Sequence, residues 1–187
     1  MRPLTDPDRE LVEEIRGGKP RRFGALVDRH KERAMTLALR MLGRRGEAEE
    51  AVQDAFLRAY RNLDTFRGES RFATWFYRIL YNSCLSLAAR RGEPPPVEET
   101  GDIASEEPSP LDRLLRSESE DLLARAVALL PPPYRDAVTL HYVQELSCAE
   151  AGEVLGVSEE AVKVRLFRAR SLLRNMVAAC RAQAEAR

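Results

Sequence analysis

Apolar residues recur along this chain at the spacing of helices, and no stretch alternates convincingly as a strand would. The pattern predicts a first helix from about Asp6 to Arg16, stopped by Gly17 and Gly18. A second runs from about Pro20 to Leu42, with Phe23, Leu26, Val27, His30, Ala34, Leu37, Ala38 and Met41 on one side, and Gly43 ends it. The third covers about Glu47 to Leu63 with Val52, Ala55, Phe56, Ala59, Tyr60 and Leu63 turned inward. A short loop, DTFRGES, leads to a fourth helix from about Arg71 to Arg91.

The pattern then lapses. Residues 93–110, EPPPVEETGDIASEEPSP, hold five prolines and six acidic residues and almost nothing to bury, the composition of a flexible, extended, negatively charged linker. A helix follows from about Leu111 to Leu130, started by Ser109 and Pro110 in cap and first-turn positions. Pro131, Pro132 and Pro133 break it, and shorter helices fit Tyr134–Gln144, Cys148–Leu155 and Glu159–Ala179. The predicted fold is all-α: two small helical domains, residues 1–92 and 111–187, joined by the acidic linker 93–110.

Charge adds a division that the apolar pattern lacks. The chain's 187 residues carry 30 basic and 30 acidic side chains. Residues 1–92 are net +6, 93–133 net −7, 134–160 net −5 and 161–187 net +6, which points to two basic working surfaces separated by an acidic middle. Cys84, Cys148 and Cys180 are odd in number and widely spaced. That argues against a disulfide framework or a zinc site, fits a reducing cytoplasm, and gives no reason to expect a redox role. With no apolar leader and no run of 18 apolar residues, a soluble cytoplasmic protein without membrane insertion is expected.

The segment LSCAEAGEVLGVSEEAVKVRLFRARSLL has the form of a helix-turn-helix. Ser147 and Glu150 make a capping box, Gly156 supplies the turn, Ser158 caps the second helix, and Glu159 and Glu160 suit its positive end. At 100° per residue, Val162, Leu166, Ala169 and Leu173 form the buried arc. Opposite lie Glu160, Lys163, Val164, Phe167, Arg168 and Ser171, flanked by Arg170 and Arg174. An aromatic ring among cations suits a DNA major groove, where Lys and Arg bond guanine edges or phosphates and an apolar ring meets thymine methyls.

Eight of the twelve aromatic residues fall within 56–81, interleaved with Arg58, Arg61, Arg67, Arg71 and Arg78. Most have core spacing, but Phe66 sits in the Gly-containing loop beside Arg67, a place expected to serve something other than the core. Aromatic faces with cations between them are what single-stranded DNA requires, at roughly 1–3 kcal/mol per stacked base.

Two segments together resemble the bacterial extracytoplasmic-function (ECF) sigma factors of the sigma-70 family. AEEAVQDAFLRAYRNLDTFRGESRFATWFYRILYN is similar to the region-two signature, and LSCAEAGEVLGVSEEAVKVRLFRARSLLR to the region-four signature, in the right order and separation. The resemblance implies that Glu50, Gln53 and Asp54 dock on core RNA polymerase, whose clamp coiled coil and flap are the expected partner surfaces. It implies that Asn62, Phe66, Arg67, Ser70, Arg71, Phe72, Ile79 and Asn82 melt the minus-10 element and pocket a flipped base. It assigns Ser158, Glu160, Lys163, Val164, Arg165, Phe167 and Arg168 to the minus-35 duplex, and an acidic tether threaded through the polymerase to the linker. An anti-sigma factor is a further expected partner. The chain departs from the family pattern at Val164, Cys148 and Ala151-Gly152, and Gly152 costs its helix about 1 kcal/mol relative to alanine.

Chemistry of its own is not expected. G-x-x-x-x-G-K, G-x-G-x-x-G and G-x-S-x-G are all missing, and His30 and His141 lack metal-ligand spacing. His30 falls on an apolar face and is expected in or beside the core. No cofactor, metal or catalytic residue is anticipated. A free-standing dimeric helix-turn-helix regulator is the main alternative, but it has no use for an arginine-aromatic cluster. A purely protein-binding helical adaptor would not place Phe167 within a basic face.

Overall fold

The computed structural model describes residues 6–92 and 120–185. The expected linker 93–110, the Ser109–Pro110 cap and the start of the helix expected from Leu111 lie outside the described residues. Among the described residues there are eight α-helices: α1 (Arg9–Arg16), α2 (Phe23–Leu42) after a 3₁₀ turn at Pro20–Arg22, α3 (Arg45–Arg61), α4 (Phe72–Arg90), α5 (Glu120–Ala128), α6 (Pro132–Val138), α7 (Cys148–Leu155) and α8 (Glu159–Glu185). The all-α expectation holds, and no strand occurs among the described residues.

The first unit is built on α2, α3 and α4. Ala48, Ala51, Ala55 and Ala59 run along the inner side of α3, fully buried. Such small residues let α3 lie close against α4, whose Phe72, Phe76, Leu80 and Cys84 fill the space. Phe56 and Phe76 stack with centroids 4.4 Å apart, and Phe76 in turn lies parallel to Phe72. Pairs of this kind add about 1 kcal/mol each beyond their buried area.

His30 is inside, as its position on an apolar face suggested, and the structure supplies its partner. Its Nε2 lies 2.8 Å from Oδ2 of Asp8, a carboxylate only 1% exposed, and Arg29 donates to the other oxygen. Burial pushes the Asp8 pKa up, but hydrogen bonds from His30 and Arg29 and their charges outweigh it, holding the carboxyl below its ordinary 3.8. Two residues earlier, Asp6 Oδ2 accepts from the Phe72 amide at 2.9 Å and so satisfies an otherwise orphaned N–H at the start of α4.

The second unit packs α6, α7 and α8 around Tyr134, Ala137, Leu140, Leu146, Val154 and the expected arc of Val162, Leu166, Ala169 and Leu173, all buried. The caps read for the helix-turn-helix are present. Ser147 Oγ accepts from the Glu150 amide at 3.2 Å while Glu150 Oε2 accepts from the Ser147 amide at 2.9 Å. Gly156 takes φ 70°, and Ser158 Oγ accepts from Ala161 N at 3.1 Å. The helix expected over Tyr134–Gln144 is not uniform: after Val138 it widens into a π turn, Thr139–Val143, closed by Gln144 N donating to Thr139 O.

Two local expectations fail. Tyr60, expected inward, is 46% exposed and leans on Phe23 edge-on, because α3 gives its inner side to alanines and Phe56. Gly152, read as a cost to α7, is a packing requirement: a Cβ there would stand 2.8 Å from the Val157 carbonyl oxygen, where the chain turns back toward α8.

Two outcomes are expected. Gly152→Ala lowers the thermal midpoint, because displacing backbone costs about 1–3 kcal/mol and outweighs the roughly 1 kcal/mol of helix propensity gained. Asp8→Ala costs about 3 kcal/mol in denaturant unfolding by leaving His30 and Arg29 unpaired. Because the Asp8 pKa is lowered on folding, its contribution is fully present above pH 3.8 and fades as pH falls through the depressed value. The variant's unfolding curve loses that part of the acid slope.

Candidate nucleic-acid interface

The clearest candidate surface is the outer side of α8. Glu160, Lys163, Phe167 and Ser171 are exposed, with Val164 and Arg168 partly so, while the opposite arc is buried. Phe167 keeps 47% of its surface in solvent. A ring left that open, among cations and on a helix whose core face is already filled, is available to a partner. Ser158, exposed, starts the helix, and Lys163 pairs with Glu159 one turn back at 3.0 Å. Arg165 departs from this group: it is buried, and its charge acts on Asp136 and on Tyr81 of α4.

The loop after α3 is the second candidate. Asn62 and Arg67 are exposed, Ser70 and Arg71 partly so, and Asn82 and Ile79 continue the surface along α4. Phe66 and Phe72 do not join them. Phe66, expected to be spare, is 6% exposed, because Trp75 and Phe72 pack against it and the Arg16 guanidinium lies over its ring, 5.9 Å from the centroid. Phe72 is wholly buried at the first turn of α4. Neither ring offers a free face. The loop is instead shaped from beneath: Arg16 donates from Nη2 to the Leu63 carbonyl at 2.6 Å and to the Phe66 carbonyl as well. Arg16 and Asp6 are thus positioning residues that the sequence did not reveal, since each acts on a segment about 50 or more residues away with no local signature.

A third surface is an open groove between α3 and α4, lined by Glu50, Gln53, Asp54, Leu57, Arg58, Ser83, Leu87 and Arg90. Asp54 anchors it, accepting from Ser83 Oγ at 3.0 Å and pairing with Arg58 at 2.7 Å. Leu57, 47% exposed, is an apolar contact point among these charges.

The two units also meet each other. Arg71 makes a two-pronged ion pair with Glu150 on α7, at 2.5 and 2.7 Å. Tyr81 on α4 bonds Asp136 on α6 at 3.3 Å, and Gln144 Nε2 donates to the Arg33 carbonyl of α2 at 2.9 Å. Burial raises the Asp136 pKa to about 6, and the nearby Arg135, Tyr81 and Arg165 only partly counter it. Burial likewise raises the Tyr81 hydroxyl and pushes the Cys84 thiol up to about 12. Among the described residues no group of His, Cys, Asp and Glu is placed to hold a metal ion, and no helix is long and apolar enough to cross a membrane.

The described residues form an all-helical protein with a helix-turn-helix in one unit and an aromatic-braced loop in the other, a combination suited to nucleic acid. Comparison with known proteins agrees: the Sigma-70 region 2 family matches residues 26–93 and the Sigma-70 region 4 family residues 120–173. The ECF RNA polymerase sigma-E factor of Escherichia coli K12 is 33% identical over 180 residues, covering 91% of this chain and 94% of that protein. Its counterpart in Haemophilus influenzae is 31% identical over 91% and 95%. CnrH, solved in complex with the cytosolic domain of CnrY, superposes with a TM-score of 0.68 at 28% identity over 93% of this chain and 99% of that one. The sigma factor RpoE of Bartonella quintana, solved with the anti-sigma factor NepR, shares the fold with a TM-score of 0.64 at 22% identity over 83% and 96%. The chain belongs to the ECF sigma factors of the sigma-70 family. It directs RNA polymerase to promoters and is a transcription initiation factor rather than an enzyme, which sets aside the free-standing regulator.

A thiol held near pKa 12 is almost wholly protonated at pH 8 and shielded from reagents. Iodoacetamide labelling of the folded protein at pH 8, read by peptide mass spectrometry, is expected to leave Cys84 unmodified until denaturant is added.

Proposed function

We propose that this sigma factor works as two grips, residues 1–92 and 111–187, joined by an acidic tether at 93–110. The observation that carries the reading is the outer side of α8, where exposed Phe167 stands beside Lys163 and Arg168 opposite a complete core face. That surface, with Ser158, Glu160 and Val164, enters the major groove of the minus-35 element. Arg165 joins it only where the second unit stands apart from the first.

The minus-10 element is taken by the loop and the start of α4. Asn62, Arg67, Ser70, Arg71, Ile79 and Asn82 supply polar, cationic and apolar contacts to the unpaired strand. Phe66 and Phe72 act as the floor of this site, holding the loop in shape rather than stacking on a base. Core RNA polymerase docks its clamp coiled coil on the α3–α4 groove, against Glu50, Gln53, Asp54 and the exposed Leu57; its flap meets the second unit. An anti-sigma factor is part of the same reading, supported by the Bartonella quintana neighbour solved with one. No cofactor or metal enters the mechanism, and the protein works in the cytoplasm, where its polymerase is.

Run-off transcription with purified core polymerase on genomic promoter fragments tests the whole. Failure of the chain to bind core or to start transcription overturns it. Arg168→Ala is expected to weaken minus-35 recognition about 5- to 150-fold, the roughly 1–3 kcal/mol of a lost base contact, with core affinity unchanged. Leu57→Asp is expected to cut core affinity at least 10-fold while leaving the thermal midpoint within about 2 °C of wild type, since the side chain is exposed.

A further inference from the structure

We propose that α1 is a strut for promoter opening: held at one end through Asp6 and at the other through Arg16, it fixes both ends of the loop between α3 and α4. It thereby sets how readily that loop captures the unpaired minus-10 strand. The inference deepens the proposed minus-10 reading and rests on it.

The loop leaves the end of α3 and ends at the first turn of α4. Its beginning is held by Arg16, the last residue of α1. Arg16 Nη2 donates to the Leu63 carbonyl at 2.6 Å and to the Phe66 carbonyl, and Nε adds a longer bond to Leu63 at 3.2 Å. The far end is held by Asp6, just ahead of the residue that caps α1, Asp8. One Asp6 oxygen accepts from the Phe72 amide at 2.9 Å and the other from the Asp8 amide at 3.0 Å. One short helix therefore grips the loop at both ends. Its 8 residues span about 12 Å at 1.5 Å per residue, a fixed length between the two grips.

A strut works only if it is itself held. Leu11, Val12 and Ile15 are buried along one side of α1. At its start, Asp8 bonds His30 at 2.8 Å and Arg29, and Arg29 also donates to the Pro7 carbonyl at 2.9 Å. His30 in turn lies among the rings of Phe72, Phe76 and Tyr77 of α4. The spacing of the loop's ends is thus transmitted from the α2–α4 core through α1, and the loop cannot change shape without breaking one of the two grips.

The chemistry at Arg16 calls for arginine. Its planar fork reaches two carbonyls three residues apart while the guanidinium covers the Phe66 ring, 5.9 Å from the centroid. Lysine offers the charge without the fork. Losing the strut acts on one step only. The α3–α4 groove proposed to dock core polymerase is lined by no residue of α1, and the outer side of α8 belongs to the other unit. A loop free to take several shapes gives up more conformational freedom when it captures a strand, so the opened promoter is less favoured while closed binding is untouched.

The test uses the full chain assembled with core polymerase on a genomic fragment that initiates in the run-off assay. Opening is read by 2-aminopurine fluorescence within the minus-10 element, and transcription is compared on the same fragment pre-opened there by mismatches. Arg16→Met keeps an unbranched apolar stem and removes the fork. It is expected to lower the ratio of open to closed promoter about 10-fold on duplex, the effect of losing a charged donor to two carbonyls. On the pre-opened fragment its transcription stays within about 2-fold of wild type, because the strand is already unpaired. Arg16→Lys falls between the two and keeps the test decisive should Arg16→Met unfold. Asp6→Asn, with a single oxygen for two amides, lowers opening in the same way. The double variant Arg16→Met with Asp6→Asn opens no worse than about 2-fold below the weaker single variant, since two grips on one strut are coupled and not additive. Core affinity, minus-35 duplex binding and helical circular dichroism match wild type throughout.

Wild-type opening in both Arg16 variants, equal losses on duplex and pre-opened templates, or losses that multiply in the double variant each overturn the strut and leave the promoter reading standing. A wild-type chain that neither binds core nor opens any promoter overturns the promoter reading instead.

Discussion

Among the described residues, helix α4 packs on α2, α3 and α7 and so joins the two units. Most helices of small domains bury one stripe and wet the other. Here Phe72, Phe76, Tyr77, Leu80, Tyr81 and Cys84 are all buried, and they point in more than one direction. Alanine-lined α3 covers one side, α2 and the Asp8–His30 pair another, and α7 and α6 of the second unit a third. Burial of large aromatic and aliphatic side chains at about 1.5–3 kcal/mol each is the main force available to a chain of this length. A helix with so much apolar surface cannot be satisfied by a single neighbour.

The start of α4 shows how that demand becomes function. Its first amide is taken by Asp6, its preceding arginine by Glu150, and the ring of Phe72 supports Phe66 beneath the loop. Arg16 ties the same loop from α1 through two carbonyls. The loop therefore presents Asn62, Arg67 and Ser70 from a braced base. Preorganised contacts lose less entropy on binding than a floppy loop would. The bracing explains why aromatic residues are so dense here, most of them buried.

Much of this was legible in the chain. Helix spans, the capping box at Ser147 and Glu150, the turn at Gly156 and the outward set around Phe167 follow from local rules, because caps and helical periodicity involve residues within a few positions of each other. The misjudged residues share a different property. Phe66 looked available in its loop but lies under Arg16, Tyr60 looked inward but alanines took its place, and Arg165 was grouped with the outer surface but is buried, its charge acting on Asp136. Gly152 looked like a weakness in α7 until the Val157 carbonyl was seen to need the space.

The dividing line is whether a residue's surroundings come from its own helix periodicity or from what folds against it. By itself the sequence determined the helical class, the two-unit organisation, the helix-turn-helix and the family, since each rests on periodicity, punctuation and motif spacing along one stretch of chain. Tertiary structure alone decided which cations face outward and which are buried, which aromatic rings lie inside, and that the two units meet through Arg71 and Glu150. Several of those partners lie about 50 to 110 residues apart, as do Arg16 and Phe66 or Arg33 and Gln144. A side chain's exposure is set by what folds over it, and no local pattern encodes the far side of a contact.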